Sequence, residues 1–528
     1  MTRTSVAALA VLAAAVTACY MFTLPYPFVY DDVMHVADNP HIRSLANPFR
    51  FFYDPSTVAI TPTPATEIYR PLATLSHALT YAVFGPGPRG FRLVNIAFHA
   101  SNAMLLFFLV RALLPVAGRP GAFSWAALLA ALAWAVHPVN TESVTWIVGR
   151  SNLLCGLFFL LALLFRTRGE RDPASRRWWR AGALAAFGFA LLAKEHAIML
   201  PLIIVACDAA ADRRGAPAAP RATGGRGYAS FFKAAAVYCV LRLALIGRMT
   251  QRGSWGGGPA SHVALQVMGL ATYLRLLVLP FRLRLDYVFD PPSAGGAAWF
   301  ALSSAIVALF FGLIALAWKR RSPYVLGLLW IIIALLPVLN LLPIKAVVNE
   351  RFLYLPAMGL SFLIAWWLAP AGNGREPGRG NRGRLAGAAV VVLCLGLLTV
   401  HRNRVWESAW ALWGDTARKE PRSFIAQVNY GKACNDSLRS ELAIGAGTAA
   451  LKAVPTCDEA RAAAFHIRAI ALMRLGRGGE AERDLRDALE IDSAPYLYAT
   501  LGQVLILQGR NGEAEEMLRR AGARPARP

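Results

Sequence analysis

Apolar runs follow one another along most of this chain, and they limit what it can fold into more than any motif does. They fall at about 5–24, 94–114, 122–138, 151–166, 180–194, 196–209, 229–247, 297–318, 323–342, 352–370 and 384–401. A helix needs roughly 20 apolar residues to cross a bilayer, and several of these runs approach that length. In lipid, only helices and closed barrels satisfy their own backbone hydrogen bonds. Unbroken apolar runs rather than strict alternation select helices. The expected fold class is therefore all-α, a polytopic membrane helix bundle of about eleven spans. Composition agrees: 56% of the 528 residues are hydrophobic and only 16% charged, with a mean hydropathy of +0.43. A soluble chain of this length would form several domains and would not need so much apolar surface.

The formal net charge is +24, which suits either nucleic acid or an anionic membrane face. Distribution decides between them. Basic residues cluster in short segments between apolar runs, at Arg166 to Arg180, Arg213 to Lys233, Lys319 to Arg321 and Arg375 to Arg384. Lys and Arg retained on the cytoplasmic side of a membrane give this pattern, and no basic-aromatic reader motif argues for nucleic acid. The stretch 262–280 is ambiguous. Were it to span, the basic loops at 319–321 and 375–384 would change sides, against the charge rule, so it is expected to lie along the interface or re-enter. The N-terminal run has a positive start like a signal peptide, but it continues to about Leu24 without a cleavage site followed by polar sequence. It is read as a retained first span with a cytoplasmic N-terminus. Loops 25–93, 139–150, 248–296 and 343–351, and the tail, then lie outside. The first loop contains TEIYRPLATLSHALTYAVFG, suited to an amphipathic helix on the membrane surface.

The chain divides into a membrane part, 1–401, and a soluble tail, 402–528. In the tail Ala481 and Ala514, Leu485 and Leu518, Ala488 and Ala521, and Ala469 and Gly502 each recur at one common spacing. Small residues at fixed offsets let paired helices pack closely, which predicts a TPR-like α-solenoid; a generic pair of helical hairpins is the plainer alternative. Of seven cysteines, Cys19, Cys155, Cys207, Cys239 and Cys394 lie in apolar runs, where cysteine behaves as a small hydrophobe. Cys434 and Cys457 lie in the tail, where a disulfide is open to them if the tail is extracytoplasmic.

Ionisable residues at membrane level are expensive to bury, so each is a candidate for function. Asp31 and Asp32 follow the first span after the stretch PYPFVY. A carboxylate there can act as a general base on a hydroxyl; the bland reading is an acid pair that caps a helix or meets an arginine. Arg70, Arg150, Lys194 and Arg351, the last preceded by Glu350, are expected at the same face. Singly each suits an interface anchor; converging they would suit a phosphate. His137 and Glu142 could contribute to a metal site, but no second ligand pair stands at helical spacing, so no metal is assigned, and His137, Glu142 and Glu350 are counted with the basic residues as candidates for the substrate and phosphate site. The glycines at 255–258 lack the strand-before, helix-after context of a nucleotide loop.

Several segments occur in a telling order: the DD pair, YRPLATLSHALTYAVFG, GFRLVNIAFH, HPVNTESVTWIVGR, LLAKE, ATYLRLLVLPFRLRLDY, NERFLYLPAMG, then RNRVW leading into the repeats. Together they resemble the membrane proteins that join a GT-C-type glycosyltransferase core to C-terminal TPRs, the TMTC-type protein O-mannosyltransferases and their bacterial relatives. The resemblance implies transfer of a mannose-like sugar from a polyprenyl-phosphate carrier to a hydroxyl of a polypeptide, with no cofactor beyond the lipid-linked donor. It implies a first-loop carboxylate as base, Asp31 or Asp32 with Asp31 favoured, and Arg150, Lys194 and Arg351 on the phosphate. The TPRs would hold the acceptor polypeptide. The sequence departs from the pattern at Asn152, where relatives usually have an acid, and at Arg92, where they usually have histidine.

Two other functions compete with the transferase: a non-catalytic TPR scaffold for envelope proteins, and a carrier for lipid-linked sugars. A scaffold has no need of acids at the membrane lip, and a carrier should show ionisable groups near span centres, where this chain has almost none apart from Arg242. High Ala, Gly and Arg content suggests a GC-rich bacterial genome, hence an inner membrane, an undecaprenyl-type lipid and a periplasmic tail.

Overall fold

A computed structural model of the chain describes residues 3–60, 68–113, 123–213, 226–247, 259–290, 292, 295–340, 347–369, 379–453 and 458–522. Among these there is no β-strand. The chain divides into two units, one of Met1–Leu283 with Phe289–Trp406, the other of Arg284–Val288 with Glu407–Pro528.

The first unit is built from α1 (Arg3–Tyr20), α2 (Pro71–Phe84), α3 (Pro88–Leu113), α4 (Phe123–Ala135), α5 (Arg150–Arg171), α6 (Arg176–Ala193), α7 (Leu200–Arg213), α8 (Arg226–Ile246), α9 (Pro259–Val278), α10 (Ala297–Lys319), α11 (Val325–Leu335), α12 (Met358–Leu368) and α13 (Arg379–Asn403). Seven segments are long and apolar enough to cross a membrane by length and composition: Arg3–Thr23, Pro88–Leu113, Ile147–Arg171, Gly227–Ile246, Ala260–Val278, Ala297–Lys319 and Arg382–Glu407. The apolar helices at 125–135, 325–338 and 358–368 are shorter. Close packing is permitted by missing side chains: a Cβ on Gly327 would lie 2.7 Å from Gly359 O, so α11 and α12 touch backbone to backbone.

Side-chain contacts sort the helix ends. Asn403, finishing α13, donates to Cys19 O near the end of α1. Asn95, early in α3, donates to carbonyls of Val144, Trp146 and Ile147, between α4 and α5. Lys194, after α6, donates to Asn152 at the start of α5. Arg351, ahead of α12, pairs with Glu142, after α4. All these groups therefore gather at one end of the bundle. Helix α9 has crossing length, yet His262 near its start meets Asn340 O at 3.0 Å and its Leu277 O meets His137 Nε2 at 3.1 Å. Both partners belong to that same end, so α9 runs along the end rather than through the bundle. The same contacts put the ends of α1, α4, α6 and α13 and the starts of α3, α5 and α12 at this end.

Helix α2 carries the stretch expected to lie on a membrane surface. Pro71 fixes its first turn, and Gly85, at φ 74°, ends it. Its amphipathicity is turned inside out. Thr74, His77 and Thr80 are buried, while Leu79, Val83 and Phe84 are exposed. An apolar outer face suits lipid; a polar inner face places hydrogen-bonding groups inside the protein.

The second unit continues with α14 (Ala409–Lys419), α15 (Phe424–Asp436), α16 (Ser440–Lys452), α17 (Asp458–Arg474), α18 (Gly478–Ile491), α19 (Pro495–Leu507) and α20 (Asn511–Arg520). The repeat has a visible cause. Gly476 and Gly509 end their helices at φ 74° and 77°, and each turn is closed by a bond to an earlier carbonyl, Arg477 N to Leu472 O and Arg510 N to Leu505 O, both 2.9 Å. Gly502 must be small, since a Cβ there would lie 2.9 Å from Leu518 Cγ. Ala469, Ala481, Ala488, Leu485, Leu501 and Val504 form a shared core. The short segment 284–288 is bound by Ser423 Oγ, which donates to Asp286 at 2.6 Å, and by the ion pair Arg284–Glu420 at 3.0 Å. Cys434 is buried; its suggested pairing with Cys457 lies outside the described residues.

Candidate active site

The two aspartates of the first loop point to different tasks. The chain leaves α1 through a short turn, and Tyr30 then adopts φ 57°, a left-handed conformation that costs about 1 kcal/mol or more for a non-glycine residue. Tyr30 is held there by stacking on Trp146, ring centroids 5.5 Å apart. Beyond this kink the next two side chains diverge. Asp32 is fully buried, and its carboxyl accepts from Val29 N at 3.3 Å and Val148 N at 3.1 Å. It ties the first loop to the loop between α4 and α5. Asp31 is half-buried; its backbone carbonyl accepts from His35 N at 3.1 Å, but its carboxyl accepts no hydrogen bond from any described residue. Its charged neighbours are Arg351 and Glu142. Burial pushes the Asp31 carboxyl up to about 6, with Arg351 pulling it down and Glu142 pushing it up. Burial likewise pushes Asp32 up to about 7, against its backbone donors and Arg92.

Glu142, 1% exposed, holds Arg351 twice: Arg351 Nη1 donates to Oε1 at 2.6 Å and its backbone N donates to Oε2 at 2.7 Å. The guanidinium lies over the Trp146 and Phe352 rings at 5.2 and 5.4 Å, so its plane is fixed from several sides. Lys194, 2% exposed, donates to Asn152 Oδ1 and lies 5.2 Å from the centroid of Phe352. Burial, together with Arg70, brings its ammonium down to about 7. Arg70 pairs with Glu195 at 2.8 Å. Burial would raise the Glu195 carboxyl, but Arg70 draws it well below the usual range. His196, beside Glu195, is tilted against Phe352 at 5.3 Å, and both its ring nitrogens are buried without a partner. Arg70, Lys194, Arg351, Glu195 and His196 thus share one electrostatic neighbourhood, and Asp31 joins it through Arg351.

Arg150 is placed differently. It is fully buried and donates to Asn95 Oδ1, Ser76 O, Ser76 Oγ, Thr80 Oγ1 and Phe91 O. The guanidinium is a strut joining α2, α3 and α5, with its donors spent on protein acceptors. Arg92 is a second strut, from α3 to Tyr26 O, Pro27 O (2.5 Å) and Thr145 O (3.1 Å). Glu350 is buried against Arg402 at 3.4 Å. In His137, Nε2 meets Leu277 O and Nδ1 accepts from Val139 N at 3.4 Å, so both ring nitrogens are engaged and the ring starts the turn at Pro138–Asn140. Among the described residues no cluster of three His, Cys, Asp or Glu side chains could hold a metal.

Of the residues that the sequence singles out, Asp31, Glu142, Arg351, Lys194 and Arg70 come together. Asp32, Arg150, His137 and Glu350 lie around them in bonded positions. Sequence reasoning passes over Glu195, His196, His35 and His77. Glu195 is adjacent to a chosen lysine, and that is the one signal that could have drawn attention to it.

Known proteins give an independent view. Residues 69–215 match the family described as dolichyl-phosphate-mannose-protein mannosyltransferase. The chain is 26% identical over 493 residues to the mouse protein O-mannosyl-transferase TMTC3, covering 81% of this chain and 49% of that protein. It is 26% identical over 507 residues to human TMTC1, covering 85% of this chain and 55% of the relative. The chain thus spans about half the length of these relatives. Among solved structures, an ArnT from Cupriavidus metallidurans aligns with a TM-score of 0.40 and 15% identity, over 90% of this chain and 79% of that one.

Proposed function

We propose that this chain, similar in sequence to the TMTC-type protein O-mannosyl-transferases, is a membrane glycosyltransferase that moves a mannose-like sugar from a polyprenyl-phosphate to a hydroxyl, that of Ser or Thr in a polypeptide. The observation that carries this reading is the pairing of an unbonded carboxyl, Asp31, with a fixed guanidinium, Arg351, beside a group of buried cations. Asp31 takes the proton of the acceptor hydroxyl. The hydroxyl oxygen bonds to the anomeric carbon as the bond from that carbon to the phosphate oxygen breaks. The electron pair leaves on the phosphate, whose growing charge is met by Arg351, Lys194 and Arg70. A single displacement inverts the anomeric centre and needs one base. Glu142 holds Arg351 in position, and Asp32 fixes the loop that aims Asp31. The reading gives the charge-neutralising task to Arg and Lys and none to a metal ion.

In this reading the site end of the bundle faces the extracytoplasmic side of a bacterial inner membrane, the N-terminus is cytoplasmic, and the lipid is of undecaprenyl type. The C-terminal hairpins are a TPR array that holds the acceptor polypeptide.

The test is transfer itself. Purified full-length protein receives radiolabelled polyprenyl-phosphate sugars and envelope protein, and Asp31→Asn is compared with wild type. Label on protein with wild type, lost with a folded Asp31→Asn variant, is the expected result. Undiminished transfer by the variant sinks the mechanism. Absence of transfer from every donor moves the weight to a scaffold that gathers envelope proteins.

A further inference from the structure

A small recess opens beside the cation group, between the first loop, the inner face of α2 and the start of α5; apolar groups make most of its wall, and His35, Arg70, Thr74, His77 and Ser151 supply its polar side chains. It touches the proposed machinery at two points. Arg70 belongs both to this wall and to the cation group through Glu195. Val148 is the residue whose backbone N–H binds Asp32.

The lining has a definite hydrogen-bonding character. His35 Nδ1 lies 2.9 Å from Val58 O, which as an acceptor requires the proton on Nδ1. In a neutral ring, Nε2 then carries a lone pair. His77 is 5% exposed, packs against Phe91, and its Nδ1 is buried without a partner. An unsatisfied buried nitrogen costs about 1–3 kcal/mol, so its persistence calls for a ligand. Thr74 and Ser151 add hydroxyls, and Arg70 adds a donor. A phosphate offers acceptors only and would face the lone pair of His35. An alkyl chain would leave His77 unsatisfied. A sugar ring, whose hydroxyls both donate and accept and whose C–H face is apolar, fits both the polar side chains and the apolar remainder of the wall.

Resting on the transferase reading above, we infer that this recess receives the sugar ring of the donor, with His77 and His35 contacting its hydroxyls while the phosphate lies toward Arg70 and Lys194. The inverted amphipathicity of α2 then has a purpose: its inward Thr74 and His77 form the floor of a sugar site.

Binding tests this without relying on turnover. Full-length protein in nanodiscs is titrated with polyprenyl phosphate and with polyprenyl-phosphate-mannose, -glucose and -galactose. Wild type should bind at least one sugar-bearing lipid more tightly than the bare one. His77→Phe, which keeps the ring packed on Phe91, should lose ~tenfold of that advantage with affinity for bare polyprenyl phosphate unchanged. Thr74→Val should lose part of it in the same way. Equal weakening toward both lipids in these variants, or a sugar advantage that survives both, overturns the inference, as does a wild type with no preference for any sugar-bearing lipid. Asp31→Asn separates the two proposals: it should abolish transfer and keep the sugar advantage. Transfer retained in Asp31→Asn refutes the base assignment while leaving the binding result to decide the recess.

Discussion

Two neighbouring regions at the site end hold charges of the same kinds and use them in opposite ways. Around Asp32, Arg92 and Arg150, charged groups are spent on backbone carbonyls, backbone N–H groups and hydroxyls of the surrounding elements. Around Asp31, Arg351, Lys194 and Arg70, charged groups face one another, or carry a single partner, and Asp31 carries none among the described residues. The first region is mechanical: it fixes how the loop of α1, the helix α2 and the loop before α5 meet. The second is held in shape by the first and keeps its charge available. Adjacent residues, Asp31 and Asp32, fall on the two sides of this division. Covalent neighbours can differ so much because the kink at Tyr30 sends one side chain into the protein and leaves the other at the lip.

The largest effect that would break the comparison is exchange of roles between the two aspartates. Asp31→Asn should lower transfer ~10²–10⁴-fold, the span of a general base, with the thermal midpoint unchanged or raised. Asp32→Ala should act on folding, because two buried N–H groups lose their acceptor at about 1–3 kcal/mol each. Thermal unfolding in detergent alongside transfer rate separates them; a stable, inactive Asp32→Ala and an unstable, active Asp31→Asn would reverse the assignment. Arg150→Met comes next. It orphans several buried acceptors and should cost about 3 kcal/mol or more in stability, read as lost yield of detergent-stable protein. If the variant folds normally and loses donor affinity instead, Arg150 belongs to the anion site.

Lys194→Met should raise the KM for the lipid-linked donor ~10-fold to 100-fold with a small change in thermal midpoint. A buried ammonium that meets one neutral amide is costly to retain, so its removal should relieve the fold and injure only binding of an anion. A loss of stability with donor affinity intact would place Lys194 with the struts.

This division also marks how far the sequence was legible. The helical class followed from apolar runs, and Asp31, Glu142, Lys194 and Arg351 were each candidates from their lip positions, but nothing in the sequence showed that they converge. The repeat in the tail was readable because small residues at fixed spacing are a packing requirement, as Gly502 against Leu518 shows. What could not be read was the hydrogen-bond economy. Arg150 and Arg351 look alike in sequence, and only the folded chain shows that one gives its N–H groups to five acceptors while the other pairs with Glu142 alone on its side-chain face. His77 was hidden for a related reason: a histidine on an apolar helix reads as core, and its missing partner is a property of the fold.

The smallest prediction concerns pH. Asp31 must be ionised to accept a proton, so kcat/KM should rise with pH through about 6. Lys194 must be protonated to meet a phosphate, so kcat/KM should fall as pH rises through about 7. The result is a narrow bell for the free enzyme. Stability follows the opposite logic for the acids. The folded carboxyls of Asp31 and Asp32 hold protons up to about 6 and 7, whereas in the unfolded chain they release them near 4. The folded state therefore binds more protons between these values, and stability falls as pH rises across that window. For Lys194 the unfolded chain binds the extra proton above about 7, so its contribution to stability grows with pH there. Asn152→Asp isolates the alkaline limb. A carboxylate in place of the amide that Lys194 now meets should favour the ammonium and move that limb upward by about one pH unit, leaving the acid limb in place. If both limbs stay where they are, the alkaline limb belongs to another group, and Lys194 joins the spent charges.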